Sequence, residues 1–253
     1  MNSIHSREPG RKDAAGSTPP PGLPLWKRLL DLALILLMAP LLLPVMFLMA
    51  LIIKAVSPGP ALFRQERIGY LGRQFTCLKF RTMVVNADTQ LHQGHLNQIM
   101  DTNVPMRKLD STGDPRLIPC GKLLRSLGLD ELPQIFNVLR GEMSLVGPRP
   151  CVPYEYQNYT PHHRERFEAV PGLTGLWQVS GKNRTTFEEM IDLDVYYAWN
   201  KTLWLDLKII FKTIPAIISQ SREIHQPKPA GASRRAAATV MPPSKSAEAN
   251  FTP

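Results

Sequence analysis

The distribution of apolar and polar positions divides the 253-residue chain into a structured middle and two ends of different character. Residues 1–24 are rich in Pro, Gly, Ser and charge and have no period that could bury a face, so they are expected to form a disordered tail. The same composition returns over residues 226–253, with Pro242-Pro243 and an alanine run after Arg234-Arg235, and a second tail is expected there. Between the tails, Leu32 to Ile53 carries no charge, which is long enough for one helix of about 20 residues to cross a bilayer. Pro40 and Pro44 lie near its middle, where each removes a backbone donor and crowds the preceding turn. Lys27 and Arg28 flank one end and Lys54 the other, and basic residues at both ends fit two ends on the cytosolic side. Residues 25–56 are therefore expected to be a re-entrant membrane helix that enters one leaflet, breaks near Ala39-Pro40 and returns. A proline-kinked spanning helix shares that pattern. A cleaved signal peptide does not fit, because the apolar run is too long, begins late and lacks a small-residue cleavage site.

Residues 57–225 read as one cytosolic unit of α+β, mostly α, character. Ser57-Pro58-Gly59-Pro60 is a turn, and short strands follow through Ala61 to Met83. Alternation over Gln74 to Met83 puts Phe75, Cys77, Lys79 and Arg81 on one face. Those two cations either meet an anion together or guard a solvated edge strand. Val84 to Ser111 is polar and weakly periodic, and His92 and His95 within it, lacking a third ligand, read as surface residues. Ile118 to Leu127 predicts a helix that Gly128 ends, and a second helix follows Asp130 with Pro133 in its first turn. Phe187 to Ala198 and Asn200 to Gln220 also predict helices. The last of these carries Leu203, Trp204, Leu207, Ile210, Phe211, Ile214 and Ile218, and either packs on the core or lies in the membrane interface.

Charge narrows the partners. A net charge of +9 and a pI near 9.6 favour an anionic partner: nucleic acid, anionic lipid or a phosphorylated substrate. Nucleic acid would call for aromatic platforms or a recognition helix, and the sequence offers neither. Cys77, Cys120 and Cys151 show no metal-like spacing and read as structural thiols of a reducing compartment.

The candidate chemistry lies between Arg125 and Pro150. Asp130 and Glu131 at a helix start are explained in the first place by capping and the helix dipole, although a helix N-terminus also attracts phosphate. A phosphate beside two carboxylates needs nearby cations, which Arg125, Arg140 and Arg149 supply. Arg149 stands in Gly147-Pro148-Arg149-Pro150, where two prolines restrict the backbone around its planar fork; it either meets phosphate oxygens or caps a helix. The glycine-rich run Pro171 to Arg184 permits close backbone approach to a ligand, but matches no nucleotide-binding pattern.

Taken together, these blocks resemble the bacterial sugar transferases, the monotopic phosphoglycosyl transferases. The resemblance is carried by Leu129-Asp130-Glu131-Leu132-Pro133-Gln134, Phe136-Asn137-Val138-Leu139-Arg140-Gly141 and Met143-Ser144-Leu145-Val146-Gly147-Pro148-Arg149-Pro150. Further blocks are Phe63 to Gly69, Lys79 to Met83, Asp114-Pro115-Arg116, Pro171 to Gly175 and Asp194-Val195-Tyr196-Tyr197, so the likeness covers Trp26 to Ile218.

The resemblance implies a specific reaction. Asp130 would attack the sugar-bearing phosphorus of a UDP-sugar and release UMP, and polyprenyl (undecaprenyl) phosphate would then take the phosphosugar. Glu131 would hold Mg2+, while Arg149, with Arg125, Lys79 and Arg81, would bind substrate phosphate. Such a protein initiates exopolysaccharide, O-antigen or capsule-type glycan synthesis at the bacterial inner membrane, with its active site facing the cytosol and membrane lipids around its helix. A homodimer is left open. The family breaks its membrane helix at a Ser-Pro pair where this chain has Ala39-Pro40, and its larger members carry additional transmembrane helices, so the chain resembles the minimal catalytic form.

Overall fold

A computed structural model describes residues 23–85, 116–181 and 185–225, with side chains as far as Ser219. His92, His95, Asp114 and Pro115, residues 1–22 of the expected N-terminal tail and the whole of the C-terminal one lie outside the described residues.

Helix α1 runs from Leu25 to Val56 and stays helical through Pro40 and Pro44. The two missing donors would have bonded carbonyls four residues back, at Leu36 and Pro40. A spacing of four puts both gaps on one face, so the remaining turns stay bonded and the helix continues where an interruption at Ala39-Pro40 was expected. Among the described residues α1 is the one helix long and apolar enough to cross a membrane. Leu36, Leu37, Leu41, Phe47 and Leu48 on it are exposed, so the domain does not cover its middle.

Both halves of α1 nevertheless pack on the same domain. Ile35 is buried with Cys77, Val138 and Met143, while Met46 and Ile53 are buried with Phe80, Ile118, Leu124 and Ile135. Near the start, Arg28 donates to the carbonyls of Val138 and Leu139. Lys27 Nζ lies 2.5 Å from Asp206 and 2.9 Å from the Tyr197 hydroxyl, and both ends of the ion pair are almost fully buried.

After the Ser57 turn, strands β1 (Leu62–Ile68) and β2 (Gln74–Phe80) form an antiparallel hairpin in register from Leu62 opposite Phe80 to Ile68 opposite Gln74. Helix α2 (Gly121–Ser126) is shorter than expected from Ile118 to Leu127. Leu117 bridges to Met83 and the Ile118 amide donates to the Thr82 carbonyl, so the first expected turn is committed to strand-like pairing instead. Gly128, at φ 69°, opens a 3-10 turn over Leu129–Gln134 that continues into helix α3 (Ile135–Leu139). Asp130 and Glu131 therefore sit in the first turn of that 3-10 segment.

A second sheet pairs β3 (Ser144–Val146) in parallel with β4 (Gly172–Thr174). A Cβ on Gly147 would lie 2.2 Å from the Val170 carbonyl oxygen, and one on Gly172 only 2.0 Å from the Gly147 nitrogen. The close approach expected from the glycine-rich run is thus backbone to backbone: these glycines let two chain segments touch.

The short helices Pro153–Gln157 (α4) and Pro161–Arg164 (α5) precede β4 along the chain, and Leu176–Val179 (α6) follows it. Helix α7 (Phe187–Asn200) begins with a full capping box, Thr186 to Glu189, which satisfies two end donors reciprocally. It buries Phe187, Met190, Ile191 and Val195 against Ile68, Tyr159, Phe167 and Trp177. Helix α8 (Leu203–His225) packs on the domain along one side. It buries Asp206 and Ile209 on the domain and leaves Trp204 80% and Phe211 74% exposed on its other side. The described residues are thus mostly helical with two small sheets, an α+β arrangement.

Candidate active site

Strand alternation on the hairpin carries Cys77 and Lys79 to one face, and the 3-10 turn lies against that strand. A small cavity forms there, with Arg67, Lys79, Glu131, Gln134, Arg149 and Gln178 in its walls. At its centre the Glu131 carboxylate lies 3.4 Å from both Lys79 Nζ and Arg149 Nη1. Contacts of that length are ion pairs with weak hydrogen bonding, so the three charges are gathered without being locked together. All three side chains are only partly exposed.

Burial and mutual charge set the electrostatics. Burial lowers the pKa of Lys79, opposed by Glu131, and the neighbouring Arg149 pushes it the same way as burial. Burial also works against Arg149, but Glu131 and Glu155 outweigh it and hold its pKa above the ordinary value. Arg67 is pushed down by burial and then by Arg149. One carboxylate therefore sits among three cationic side chains, a local excess of positive charge in a partly dehydrated site. Such a site favours an anion with more than one charge, where ionic contacts are stronger than in bulk water.

The loop bearing Arg149 is held along its length. The carbonyl of Pro148 accepts from the Gly172 amide, that of Arg149 from Arg166, that of Pro150 from Arg67, and that of Cys151 from the Ile68 amide, each at 2.9 Å. The two prolines restrict φ and these bonds fix the remainder, so the Arg149 fork is presented from a rigid backbone.

The structure brings Lys79, Glu131 and Arg149 together as the sequence suggested. Asp130 is half-buried and one residue back. Successive residues in a 3-10 turn project about 120° apart, so the two carboxylates of the pair address different directions. Arg125 ends α2 half-buried and does not line the cavity. Arg81 does not line the cavity: its buried guanidinium donates to the carbonyls of Ser57 and Pro58 at 2.8 and 2.5 Å. It anchors the chain leaving α1.

Sequence reasoning missed Arg67, Gln134 and Gln178 as wall residues. Arg67 and Gln134 lie inside the quoted blocks, yet nothing in strand or helix periodicity marked their direction. Gln178 donates to the Leu173 carbonyl at 3.0 Å, and its buried Oε1 has no hydrogen-bond partner. The thiols are structural as expected: burial raises the pKa of Cys77 and pushes that of Cys151 up to about 12, so neither forms a nucleophilic thiolate near neutral pH.

Among the described residues no group of three or more His, Cys, Asp or Glu side chains gathers at one point. A Mg2+ site of the kind completed by substrate needs less, because magnesium is usually held by one or two carboxylates plus substrate phosphates and water. Glu131, on the cavity wall, supplies one donor of that type.

Comparison with known proteins identifies the family. The model of the family described as bacterial sugar transferase matches residues 23–220. A UDP-galactose-lipid carrier transferase of Erwinia amylovora is 40% identical over 199 residues, covering 77% of this chain and 40% of that protein. The exopolysaccharide production protein ExoY of Rhizobium meliloti is 42% identical over 69% of this chain and 77% of its own length. A UDP-glucose:undecaprenyl-phosphate glucose-1-phosphate transferase of Caulobacter vibrioides is 40% identical over 81% of this chain and 74% of its own. The chain thus spans only two fifths of the Erwinia protein but about three quarters of the other two. Since the matched region includes every wall of the cavity, the chain belongs to the bacterial sugar transferase family.

Proposed function

We propose that this transferase moves a sugar-1-phosphate from a UDP-sugar to polyprenyl (undecaprenyl) phosphate at the bacterial inner membrane, as the initiating step of an exopolysaccharide, O-antigen or capsule-type glycan. The observation that carries the proposal is the Lys79–Glu131–Arg149 cluster beside Asp130, within a chain similar over this region to transferases whose names specify those substrates.

In the proposed reaction an Asp130 carboxylate oxygen attacks the sugar-bearing phosphorus, and the bond from that phosphorus to the bridging oxygen breaks. UMP leaves with the bridging oxygen, and the phosphosugar remains esterified to Asp130. An oxygen of polyprenyl phosphate then attacks the same phosphorus, the Asp130 ester breaks, and a lipid diphosphosugar is released with the carboxylate restored. A carboxylate approaching a diphosphate is repelled, and Arg149, Lys79 and Arg67 offset that charge. Glu131 would hold Mg2+, which when bound supplies further neutralisation of the diphosphate oxygens.

The membrane reading follows from lengths. Between the buried Ile35 and Met46 lie about 17 Å of helix at 1.5 Å per residue, against about 30 Å for a bilayer's hydrocarbon core. Both flanking segments being seated on one domain supports a course in a single leaflet over a full crossing. The bare side of α8, with Trp204 exposed, suits the same interface.

Incubating the protein with undecaprenyl phosphate, Mg2+ and a panel of UDP-sugars, while measuring UMP, tests the function. Release with one sugar is expected, and Asp130→Asn should abolish it with membrane association unchanged. Labelled donor should trap an adduct on Asp130; full turnover by the Asn variant would rule out the proposed nucleophile.

A further inference from the structure

Arg166 lies in the 3-10 turn Glu165–Glu168, away from the cavity, and is 2% exposed. Its guanidinium divides its donors among three elements. Nη2 reaches the Asp194 carboxylate of α7 and, at 2.9 Å, the backbone carbonyl of Arg149; Nη1 donates to the Tyr159 hydroxyl at 3.0 Å. Tyr159 in turn donates to Glu155 at 3.3 Å. The guanidinium also lies 5.9 Å from the ring centres of Tyr159 and Phe167.

A buried ion pair of this kind is a weak source of stability, because the desolvation of two charges cancels most of their attraction. An apolar pair would fill the same space. What it does here, and an apolar pair would not, is give a donor to the carbonyl of the residue whose side chain meets Glu131. Arg149 sits between two prolines, so the orientation of the peptide plane after it decides where its side chain starts. Without Arg166 the Arg149 carbonyl would be left unsatisfied on a part-buried backbone, and the loop would turn to find another donor.

We propose that Arg166, charge-balanced by Asp194, is a positioning residue for the transfer reaction: its hydrogen bond to the Arg149 carbonyl aims the Arg149 guanidinium at the substrate diphosphate. The inference rests on the proposed role of Arg149 in phosphate binding. Lysine cannot replace this arginine, because one ammonium nitrogen cannot bridge the carboxylate, the carbonyl and the hydroxyl that a planar fork spans. Misplacement of a phosphate-binding group by about 1 Å costs on the order of a hundredfold in rate.

The test is a double-mutant cycle on the full-length protein in lipid nanodiscs, with two readouts: kcat/KM for the UDP-sugar, and affinity for pyrophosphate by calorimetry. Arg166→Lys is expected to lower both by about tenfold to a hundredfold with Arg149 present. In the Arg149→Ala background the same change should cost less than about threefold, since the group it aims is gone. Equal losses in both backgrounds would overturn the proposal, because a merely structural residue lowers the folded fraction whichever side chain stands at 149. Should Arg166→Lys not fold, Tyr159→Phe keeps the ring and removes the acceptor of Nη1 together with the donor to Glu155. It is expected to cost about threefold with Arg149 present and nothing measurable without it, and a loss independent of Arg149 again overturns the idea. Pyrophosphate binding separates the two levels of argument. A wild-type protein that binds pyrophosphate through Arg149 but releases no UMP contradicts the proposed function and leaves the cycle readable; a wild-type affinity that Arg149→Ala does not change contradicts the premise and the inference together.

Discussion

Replacing Asp206 by Leu tests how α1 is joined to the domain. Asp206 is fully buried, and its carboxylate meets Lys27 Nζ at 2.5 Å through Oδ2 and accepts from the Tyr197 hydroxyl at 2.6 Å through Oδ1. The leucine leaves an ammonium group 2% exposed with the Tyr197 hydroxyl, at 2.9 Å, as its remaining hydrogen-bond partner and the Asp31 carboxylate as the acid still acting on it. Tyr197 itself keeps an acceptor in the Val146 carbonyl at 3.2 Å, so the loss falls on Lys27. Removing one member of a buried pair costs about 3 to 5 kcal/mol, because the uncompensated charge remains. In a domain of this size each kcal/mol lowers Tm by about 2 to 4 °C, so a fall on the order of 10 °C is expected. Replacing both partners, Lys27→Met with Asp206→Leu, removes the charge with its partner and should recover most of that loss. Thermal unfolding of the protein in nanodiscs, followed by tryptophan fluorescence, reads both. A single variant within about 1 kcal/mol of wild type, or a double variant less stable than the single, would refute the claim that an unpaired buried charge sets the cost.

Arg81→Ala should lower stability by about 1 to 3 kcal/mol through the two carbonyls it leaves without donors, while kcat/KM of the folded protein stays unchanged; a selective loss of UDP-sugar affinity would return Arg81 to the site. Gly128→Ala meets no neighbour within 4 Å but forces a side chain onto φ 69°, costing about 1 to 2 kcal/mol. Because Gly128 opens the turn carrying Asp130, activity should fall as well, and Gly128→Asn should be milder in both; equal Tm values for the Ala variant and wild type would show that the turn tolerates the change. The pKa of His162 is raised by hydrogen bonds to Asp192 and then Glu165. Its folded value therefore exceeds the unfolded one, and its contribution is complete below about pH 6.5 and lost as pH rises through the folded value. His162→Gln should flatten the decline of Tm over that window, and identical pH profiles would exclude the pairing.

The parts of the fold legible in the sequence were those with a local cause. Phe187–Asn200 was readable because its cap and its apolar period both lie within one segment, and Lys79 because strand alternation places it beside Cys77. Alternation cannot encode where the Arg81 side chain goes, because the carbonyls that take its guanidinium, those of Ser57 and Pro58, are remote in sequence. Ile118 was taken into a helix because its amide's true partner, the Thr82 carbonyl, is remote in sequence. Arg67 and Gln178 escaped notice similarly, since the cavity they line exists only once the hairpin, the 3-10 turn and β4 have met. Residues that line a cavity from several elements carry no period, and only the family-like blocks of sequence hinted at Arg67 and Gln134.

The polar residues of α1 explain why an apolar helix should be fused to this site at all. A helix serving only as an anchor needs no buried acid, yet Asp31 is 1% exposed and accepts from the Ser144 hydroxyl at 3.1 Å and the Leu145 amide at 3.0 Å. Those two residues open β3, which runs directly into Gly147-Pro148-Arg149-Pro150. Lys27, one turn earlier, is joined through Tyr197 to the Val146 carbonyl at the end of the same strand. The helix proposed to lie in the bilayer is thus bonded at two points to the strand that delivers Arg149, with no flexible connection between them. For an enzyme whose proposed acceptor is a phosphate fixed at headgroup depth, that coupling would set the height above the membrane of Arg149, the proposed phosphate ligand, and would give the costly burial of Asp31 and Lys27 a function that anchoring alone does not require.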